Sequence, residues 1–307
     1  MKSARGYLLV AAAACCWGAS ATLGRGMFTG RIAAPVSPLI LTETRIALAA
    51  AILLPVLAAQ RGRGILLPWR DALGGVALGV VGMSTSNYFY YLAIARTNVA
   101  TAIILQYTAP IWVLLYALAC GRQRASFRSV AAVGLALAGI ALVLGLGRPG
   151  AALRLDAIGV AAATLAAFAF AYYNLAGEAL TRRVDPLIVS LYMLVGAALF
   201  WFVVHPPWLL GQAHFGGREW LFFLGFSLVA TLAPTLLYIS GLRYLDSTRA
   251  VVTSCLEPVS GILLAAVFLG EALDALRVLG VACVLAAIVL IQRVEATCAT
   301  VRQPSAG

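Results

Sequence analysis

Charged residues are scarce in this sequence: Asp, Glu, Lys and Arg make up 11% of its 307 residues, whereas hydrophobic residues make up 63%. A soluble domain typically carries about 25% charged residues. The mean hydropathy of +0.97 agrees with that deficit of charge. The composition therefore excludes an ordinary soluble globular protein and predicts an all-α polytopic membrane protein.

The groups that enzymes and metal sites need are also scarce. The two histidines, His205 and His214, fall in one connection, and the cysteines follow no metal-binding or disulfide spacing. The sequence lacks a P-loop and the motifs HExxH and GxSxG. We therefore expect no enzyme, no ATP-driven pump, no metal and no cofactor.

The net charge of +11 is spread over short connections, and the sequence contains no basic run. Lys and Arg contact nucleic acid from clustered patches, so this distribution argues against a nucleic-acid partner. Cationic connections that face anionic lipid explain the same charge.

Ten apolar runs follow one another along the chain, and each approaches the ~20 residues needed to cross a bilayer. They cover about 7–24, 37–59, 72–94, 98–119, 129–147, 157–177, 186–204, 220–242, 250–270 and 276–292. With the N-terminus placed inside, the connections on that side carry roughly twice as many Lys and Arg residues as the others. We therefore expect ten transmembrane helices with both termini in the cytoplasm.

An internal repeat becomes visible when the chain is shifted by 148 residues. Tyr90 then falls on Tyr238, and Pro110 falls on Pro258. The two repeats cover residues 7–147 and 157–292, and each holds five apolar runs. Because five is odd, the second repeat must cross the membrane in the opposite sense. Inverted repeats are typical of alternating-access transporters that bind substrate between the two halves.

Four motifs resemble those of a known family. They are "CWG" at residues 16–18, "PLILTETR" at 38–45, "YTAP" at 107–110 and "GLRYLDSTRAVVTSCLEPV…FLGE" at 241–271. Over residues 7–292 the chain resembles the EamA family of the drug/metabolite transporter superfamily. The resemblance implies a ten-helix inner-membrane carrier, often an exporter of amino acids or other small metabolites. The first repeat departs from the pattern, since Ala109 stands where the second repeat has Glu257.

Only three ionisable residues lie well inside the apolar runs: Glu43, Arg45 and Glu257. The other carboxylates, among them Glu178, fall in or near connections and run ends. Intramembrane charges are costly and usually face the interior of the bundle. Glu257 is a candidate for proton coupling or for binding a substrate amine. It is equally explained as a structural partner of Arg45, or as a cap for backbone donors beside Pro258.

Glu43 and Arg45 are two residues apart, so they point to different helix faces and do not form an obvious pair. Glu43 is a second candidate for proton coupling, although a side chain that reaches the outer surface is the favoured alternative. Arg45 is expected to face the pathway and to hold a substrate carboxylate.

Polar and aromatic residues of several runs complete the candidate site. The predicted substrate-binding residues are Trp17, Arg45, Asn87, Tyr91, Gln106, Tyr107, Thr235 and Tyr238. Such groups can bind a zwitterion. Taken singly, most are better explained by hydrogen bonds between helices, whereas as a cluster they favour the lining of a cavity. Pro110 and Pro258 predict a matched pair of helix interruptions, which in inverted-repeat carriers points to the binding site.

The sequence thus predicts a secondary transporter of small organic metabolites, an exporter of amino acids or related compounds. A proton-coupled exporter of lipophilic cations is the alternative, and a channel is disfavoured by the repeat within one chain. The partners we expect are a small-molecule substrate and the lipid bilayer, with the protein a monomer. Substrate identity, direction and coupling ion are left open.

Overall fold

The computed structural model describes residues 2–28, 38–97, 99–121, 126–146, 156–206, 208, 215–269 and 274–301. Within these ranges the chain is helical and contains no strand. The helices are α1 (Lys2–Phe28), α2 (Pro38–Arg61), α3 (Trp69–Ala77), α4 (Thr85–Arg96), α5 (Val99–Gln106), α6 (Ala109–Ala119), α7 (Phe127–Val143), α8 (Ala157–Thr181), α9 (Pro186–Val204), α10 (Gly217–Ser227), α11 (Ala233–Leu242), α12 (Ser247–Ser254), α13 (Leu256–Leu269) and α14 (Ala275–Val301).

Six segments within the described ranges are long and apolar enough to cross a membrane. They are Leu39–Ile65, Thr101–Ala119, Ala157–Thr181, Pro186–Val204, Gly217–Leu242 and Ala275–Gln292, and the shorter helix Phe127–Val143 is also apolar. The protein is therefore an all-helical, multi-pass membrane protein.

Aspartate residues cap the N-termini of several helices. The side chain of Asp156 accepts a hydrogen bond from the backbone of Gly159 at 2.9 Å, and Asp185 accepts one from Leu187 at 2.9 Å. These caps satisfy backbone donors that a helix leaves open at its N-terminus. The charged connections of the sequence thus contain the signals that start α8 and α9.

Two helices are interrupted at corresponding places in the two halves of the chain. Tyr107 and Thr108 separate α5 from α6, and Cys255 separates α12 from α13. The position of Tyr107 falls on that of Cys255 when the chain is shifted by 148 residues. Pro110 and Pro258 follow in the first turns of α6 and α13, where proline costs least because its missing N–H is not needed.

Each half also contains a π-helical turn, at Leu78–Ser84 between α3 and α4 and at Leu228–Leu232 between α10 and α11. The same shift superimposes these turns almost completely. The first turn shows that the third apolar run, 72–94, is not one uniform helix. Such turns are frequent at functional sites because they reorient carbonyls and side chains within a helix.

The helices pack in an arrangement that joins distant parts of the sequence. Helix α1 contacts α11 and α13, α4 contacts α8, α2 contacts α9, and α7 contacts α14. The main buried cluster therefore draws on both halves and includes Val10, Tyr173, Met193 and Tyr238. A cavity lies between these packed helices.

Candidate functional site

A cavity of about 320 Å³ lies between helices of the two halves. Its lining comes from α1, α2, α4, α5, α8, α10, α11, α13 and residues beside them. The lining residues are Trp17, Gly18, Ser20, Leu41, Arg45, Gly82, Met83, Ser86, Asn87, Tyr90, Tyr91, Ile103, Gln106, Tyr107, Leu144, Phe170, Tyr173, Phe226, Ala230, Thr235, Glu257, Pro258 and Gly261. This volume is sufficient for a small organic molecule.

The cavity brings together most of the residues that the sequence singled out. Those that line it are Trp17, Arg45, Asn87, Tyr91, Gln106, Tyr107, Thr235, Glu257 and Pro258. Tyr238, Glu43 and Pro110 do not line it. The functional roles of all these residues stay predictions. The nine that line the cavity come from both halves of the chain, so they lie in one candidate site.

Glu257 lies in the first turn of α13, immediately beyond the break at Cys255, and is half-buried. The side chain of Tyr107, which lies at the other helix break, lines the same cavity. Within the described part of the chain, Glu257 and Arg45 form no direct ion pair. The roles considered for Glu257, as a coupling site, as a partner of Arg45 and as a cap beside Pro258, all stay predictions.

Helix α1 packs closely against the first turn of α13, which contains Glu257. A Cβ atom added at Gly18 would lie 2.0 Å from the Ser260 hydroxyl and 2.6 Å from the Glu257 carbonyl oxygen. Only glycine permits this close approach of two helices. The "CWG" motif thus places Trp17 beside Glu257 in the wall of the cavity.

Arg45 forms a hydrogen bond with the π-helical turn of the second half. Its guanidinium Nη1 donates to the carbonyl oxygen of Ala230 at 3.4 Å. The hydroxyl of Ser227 donates to the carbonyl oxygen of Arg45 at 2.6 Å. Among the described residues, the contact with Ala230 is the one hydrogen bond that the guanidinium makes, whereas a guanidinium carries five donors.

Two amide side chains of the first half are oriented by hydrogen bonds. Asn87 Nδ2 donates to the carbonyl oxygen of Met83 at 2.8 Å, and Gln106 Nε2 donates to the Ser86 hydroxyl at 3.3 Å. Both residues line the cavity, and each side chain also carries a carbonyl oxygen that can accept a hydrogen bond. Acceptors of this kind suit an ammonium or hydroxyl group of a ligand.

Tyr238 lies behind the cavity wall and not on its surface. Its side chain is fully buried, and its hydroxyl donates to Asn174 Oδ1 at 2.6 Å. Its ring packs 5.0 Å from that of Trp17 and 5.7 Å from that of Tyr173, measured between centroids. Tyr238 thus supports the rings of Trp17 and Tyr173 from behind, and its role in substrate binding stays a prediction.

Glu43 and Pro110 also point elsewhere. Glu43 is 4% exposed, and its Oε2 lies 2.6 Å from Nδ1 of His205 at the end of α9. The favoured interpretation expected the Glu43 side chain to reach the outer surface, but in the structure this side chain is buried. Pro110 is buried at the start of α6. Its contribution is to the geometry of the helix break.

Sequence reasoning missed Glu178, which it counted among the residues near connections. Glu178 is buried in the last turn of α8, where it pairs with Arg182. Its Oε2 accepts from the backbone N of Ser247 at 2.9 Å, and it also accepts from the Ser247 hydroxyl. Its carboxylate thus caps α12. No sequence signal distinguishes it from an exposed acid at a helix end.

Within the described residues, no group of three His, Cys, Asp or Glu side chains is placed to share a metal ion. The polar groups of the cavity are instead one cation, one carboxylate, amides and hydroxyls. This set is suited to binding an organic molecule through hydrogen bonds and charge.

Comparison with known proteins assigns the family. The model of the EamA-like transporter family matches residues 4–145 and again residues 157–293. The chain belongs to this family. The inner membrane transporter YicL of Salmonella typhimurium is 26% identical over 291 residues, which cover 94% of this chain and 95% of YicL.

The threonine/homoserine exporter RhtA of Escherichia coli K12 is 28% identical over 218 residues, or 69% of this chain and 67% of RhtA. A crystal structure with 20% sequence identity superposes with a TM-score of 0.75 and covers 94% of this chain and 96% of its own. That likeness shows a shared fold. The relatives of this EamA-like protein are thus transporters.

Proposed function

We propose that this EamA-like protein is a secondary transporter of small organic metabolites that exports amino acids or related compounds. In this proposal ten transmembrane helices form two inverted repeats, residues 7–147 and 157–292, which expose the cavity to each side of the membrane in turn. The helix breaks at Tyr107 and Cys255 support it, because they occupy corresponding positions of the two halves and flank the cavity.

One observation carries the proposal: the cavity contains one positive and one negative side chain that do not neutralise each other by direct contact. Arg45 comes from the first half, and Met193 takes its place in the second. Glu257 comes from the second half, and Ala109 takes its place in the first. A zwitterion with a carboxylate and an ammonium group complements this pair, with further hydrogen bonds from Asn87.

The proposed topology places the protein in the inner membrane with both termini in the cytoplasm. The connections that carry Arg61, Arg182 and Arg183 would then face the anionic inner leaflet. One chain lines the whole cavity, so we propose that a monomer is sufficient for transport. The partners are then the small-molecule substrate and the surrounding lipid.

The test is uptake of a labelled amino-acid panel into proteoliposomes, with and without an imposed pH gradient. Wild type is compared with Glu257→Gln, and Glu219→Gln at the start of α10 serves as the matched control outside the cavity. If the gradient drives uptake only when Glu257 is present, Glu257 couples transport to protons. If uptake ignores the gradient in both, the carrier is facilitative. If no amino acid moves, the proposal is wrong.

A second candidate function, export of lipophilic cations, has support from the surroundings of Glu257. The rings of Trp17, Tyr90 and Tyr107 line the same cavity as its carboxylate. Aromatic faces and a carboxylate together can bind an organic cation. A tetraphenylphosphonium flux assay separates the two candidates, since a cation exporter would move this probe and would not need Arg45.

A further inference from the structure

The polar side chains of the cavity would contact only part of a bound molecule. Trp17, Met83, Phe170 and Tyr173 form a continuous surface within it, here called the aromatic wall. We propose that the transported molecule carries a bulky apolar group, of the size of an aromatic or branched aliphatic amino-acid side chain, that packs on the aromatic wall. This inference rests on the proposed function and narrows its substrate class.

The aromatic wall is continuous because its rings touch one another or share a support. The rings of Phe170 and Tyr173 stack with centroids 5.8 Å apart. Trp17 and Tyr173 both contact the ring of Tyr238, at 5.0 Å and 5.7 Å. Met83 packs against the same buried cluster. A thioether beside aromatic rings offers a polarizable surface that adapts to different apolar groups.

The aromatic wall is also held in place from behind. Tyr238 is fully buried and is fixed by its hydrogen bond to Asn174. Gly82 approaches the Cβ of Tyr173 so closely that an added Cβ would lie 3.1 Å from it. Rings fixed in this way lose little freedom when a ligand binds, which favours binding to a preformed apolar surface.

The charged groups of the cavity determine which part of a bound amino acid faces the aromatic wall. The ammonium is matched by Glu257 and the carboxylate by Arg45, so the side chain is the part left to cover the apolar surface. A small hydroxylated side chain, such as that of threonine or homoserine, covers little of it. An apolar pocket typically favours a better-filling group by about 10–200-fold per missing methylene. The cavity therefore predicts a substrate preference different from that of the threonine/homoserine exporter RhtA.

The first experiment measures competition in proteoliposomes loaded with wild-type protein. Labelled phenylalanine is the transported probe, and unlabelled tryptophan, leucine, threonine and homoserine are the competitors. We expect tryptophan and leucine to inhibit at concentrations at least about tenfold lower than threonine and homoserine. If threonine or homoserine competes equally well or better, the inference is overturned while the proposed function stands. If labelled phenylalanine is not transported while another member of the labelled amino-acid panel is, the inference is overturned and the proposed function stands. If no member of the panel is transported, both fail.

The second experiment truncates the aromatic wall. Phe170→Ala should weaken inhibition by tryptophan about tenfold or more and change that by threonine about twofold or less. Leu165→Ala is the matched control, because Leu165 lies on the same helix with 47% of its side chain exposed. Phe170→Leu keeps most of the side-chain volume, and it serves as the second variant in case Phe170→Ala fails to fold. An equal loss for all competitors in both Phe170 variants would contradict the inference.

Discussion

Nδ1 of His205 lies 2.6 Å from Oε2 of Glu43, and this contact ties α2 of the first half to the end of α9 in the second. Glu43 is buried and does not line the cavity. A buried carboxylate requires a partner, and His205 provides it. The contact thus links the two halves, and Glu43 precedes the cavity residue Arg45 by two positions on α2.

This link predicts that Glu43→Ala destabilises the fold. The change leaves the imidazole without its partner, which costs about 1–3 kcal/mol. The midpoint of thermal unfolding in detergent should fall, whereas Glu43→Gln, which keeps an acceptor oxygen, should lose less. Transport by the folded fraction should continue. A complete loss of transport at an unchanged unfolding midpoint would instead assign Glu43 to the proton pathway.

Arg45 predicts a selective loss of carboxylate recognition. Removing a charged hydrogen-bond donor costs about 1.5–3 kcal/mol, so Arg45→Ala should lower kcat/KM for an amino acid about 10–150-fold. The corresponding amino-acid amide, which lacks the carboxylate, should be transported with little change. Arg70→Ala, at an exposed arginine over the Trp69 ring, is the matched control. Equal losses for acid and amide would show that Arg45 is structural.

Gly18 predicts a steric test of how α1 positions Glu257. In Gly18→Val the new side chain collides with Ser260 and with the carbonyl oxygen of Glu257, so α13 must shift. Overpacking of this kind costs about 1–3 kcal/mol and should reduce transport. Gly134→Ala is the control, because nothing lies within 4 Å of an added Cβ there. A Gly18→Val protein with the wild-type transport rate would refute this role.

Two exposed ion pairs join the halves at the end of the bundle that carries the α8–α9 connection. Arg183 Nε lies 3.0 Å from Asp71 Oδ1, and Arg61 Nη1 lies 3.3 Å from Asp185 Oδ2. Exposed pairs contribute about 0–1 kcal/mol, so Arg183→Ala should barely change stability. If this end opens during transport, the same energy shifts the conformational equilibrium up to about fivefold.

The shift can be measured with a thiol reagent that cannot cross the membrane. In a cysteine-free background, we introduce Thr235→Cys in the cavity. When Arg183→Ala is also present, this thiol should react faster with reagent added on the side of the α8–α9 connection. The charge exchange of Asp71→Arg with Arg183→Asp should restore the slower rate. If the exchanged pair reacts as fast as Arg183→Ala, the pair does not hold this end closed.

Much of the candidate site could be found in the sequence, because charge inside apolar runs is rare. Arg45 and Glu257 stand out for that reason, and both line the cavity. The matched prolines similarly predicted a pair of helix interruptions, which the structure contains at Tyr107 and Cys255. In each case a single residue is physically unusual for its surroundings, so its position alone is informative.

The two tyrosines that the repeat aligns show where such reasoning ends. Tyr90 lines the cavity, whereas Tyr238 is fully buried behind it. The same residue type at corresponding positions meets different neighbours, since Trp17 and Tyr173 stand in front of Tyr238. Glu178 illustrates the same point, because only the arrival of α12 converts an acid at a helix end into a buried cap.

The sequence by itself determined the composition of a membrane protein, the family motifs, the repeat and the few charges inside apolar runs. These features depend on residue type and spacing along one chain. Only the tertiary structure decided that Arg45 and Glu257 share a cavity without pairing, that Glu43 pairs with His205, and that an aromatic wall stands on Tyr238. Those relationships join residues far apart in sequence, and they depend on how side chains of separate helices fill the space between them.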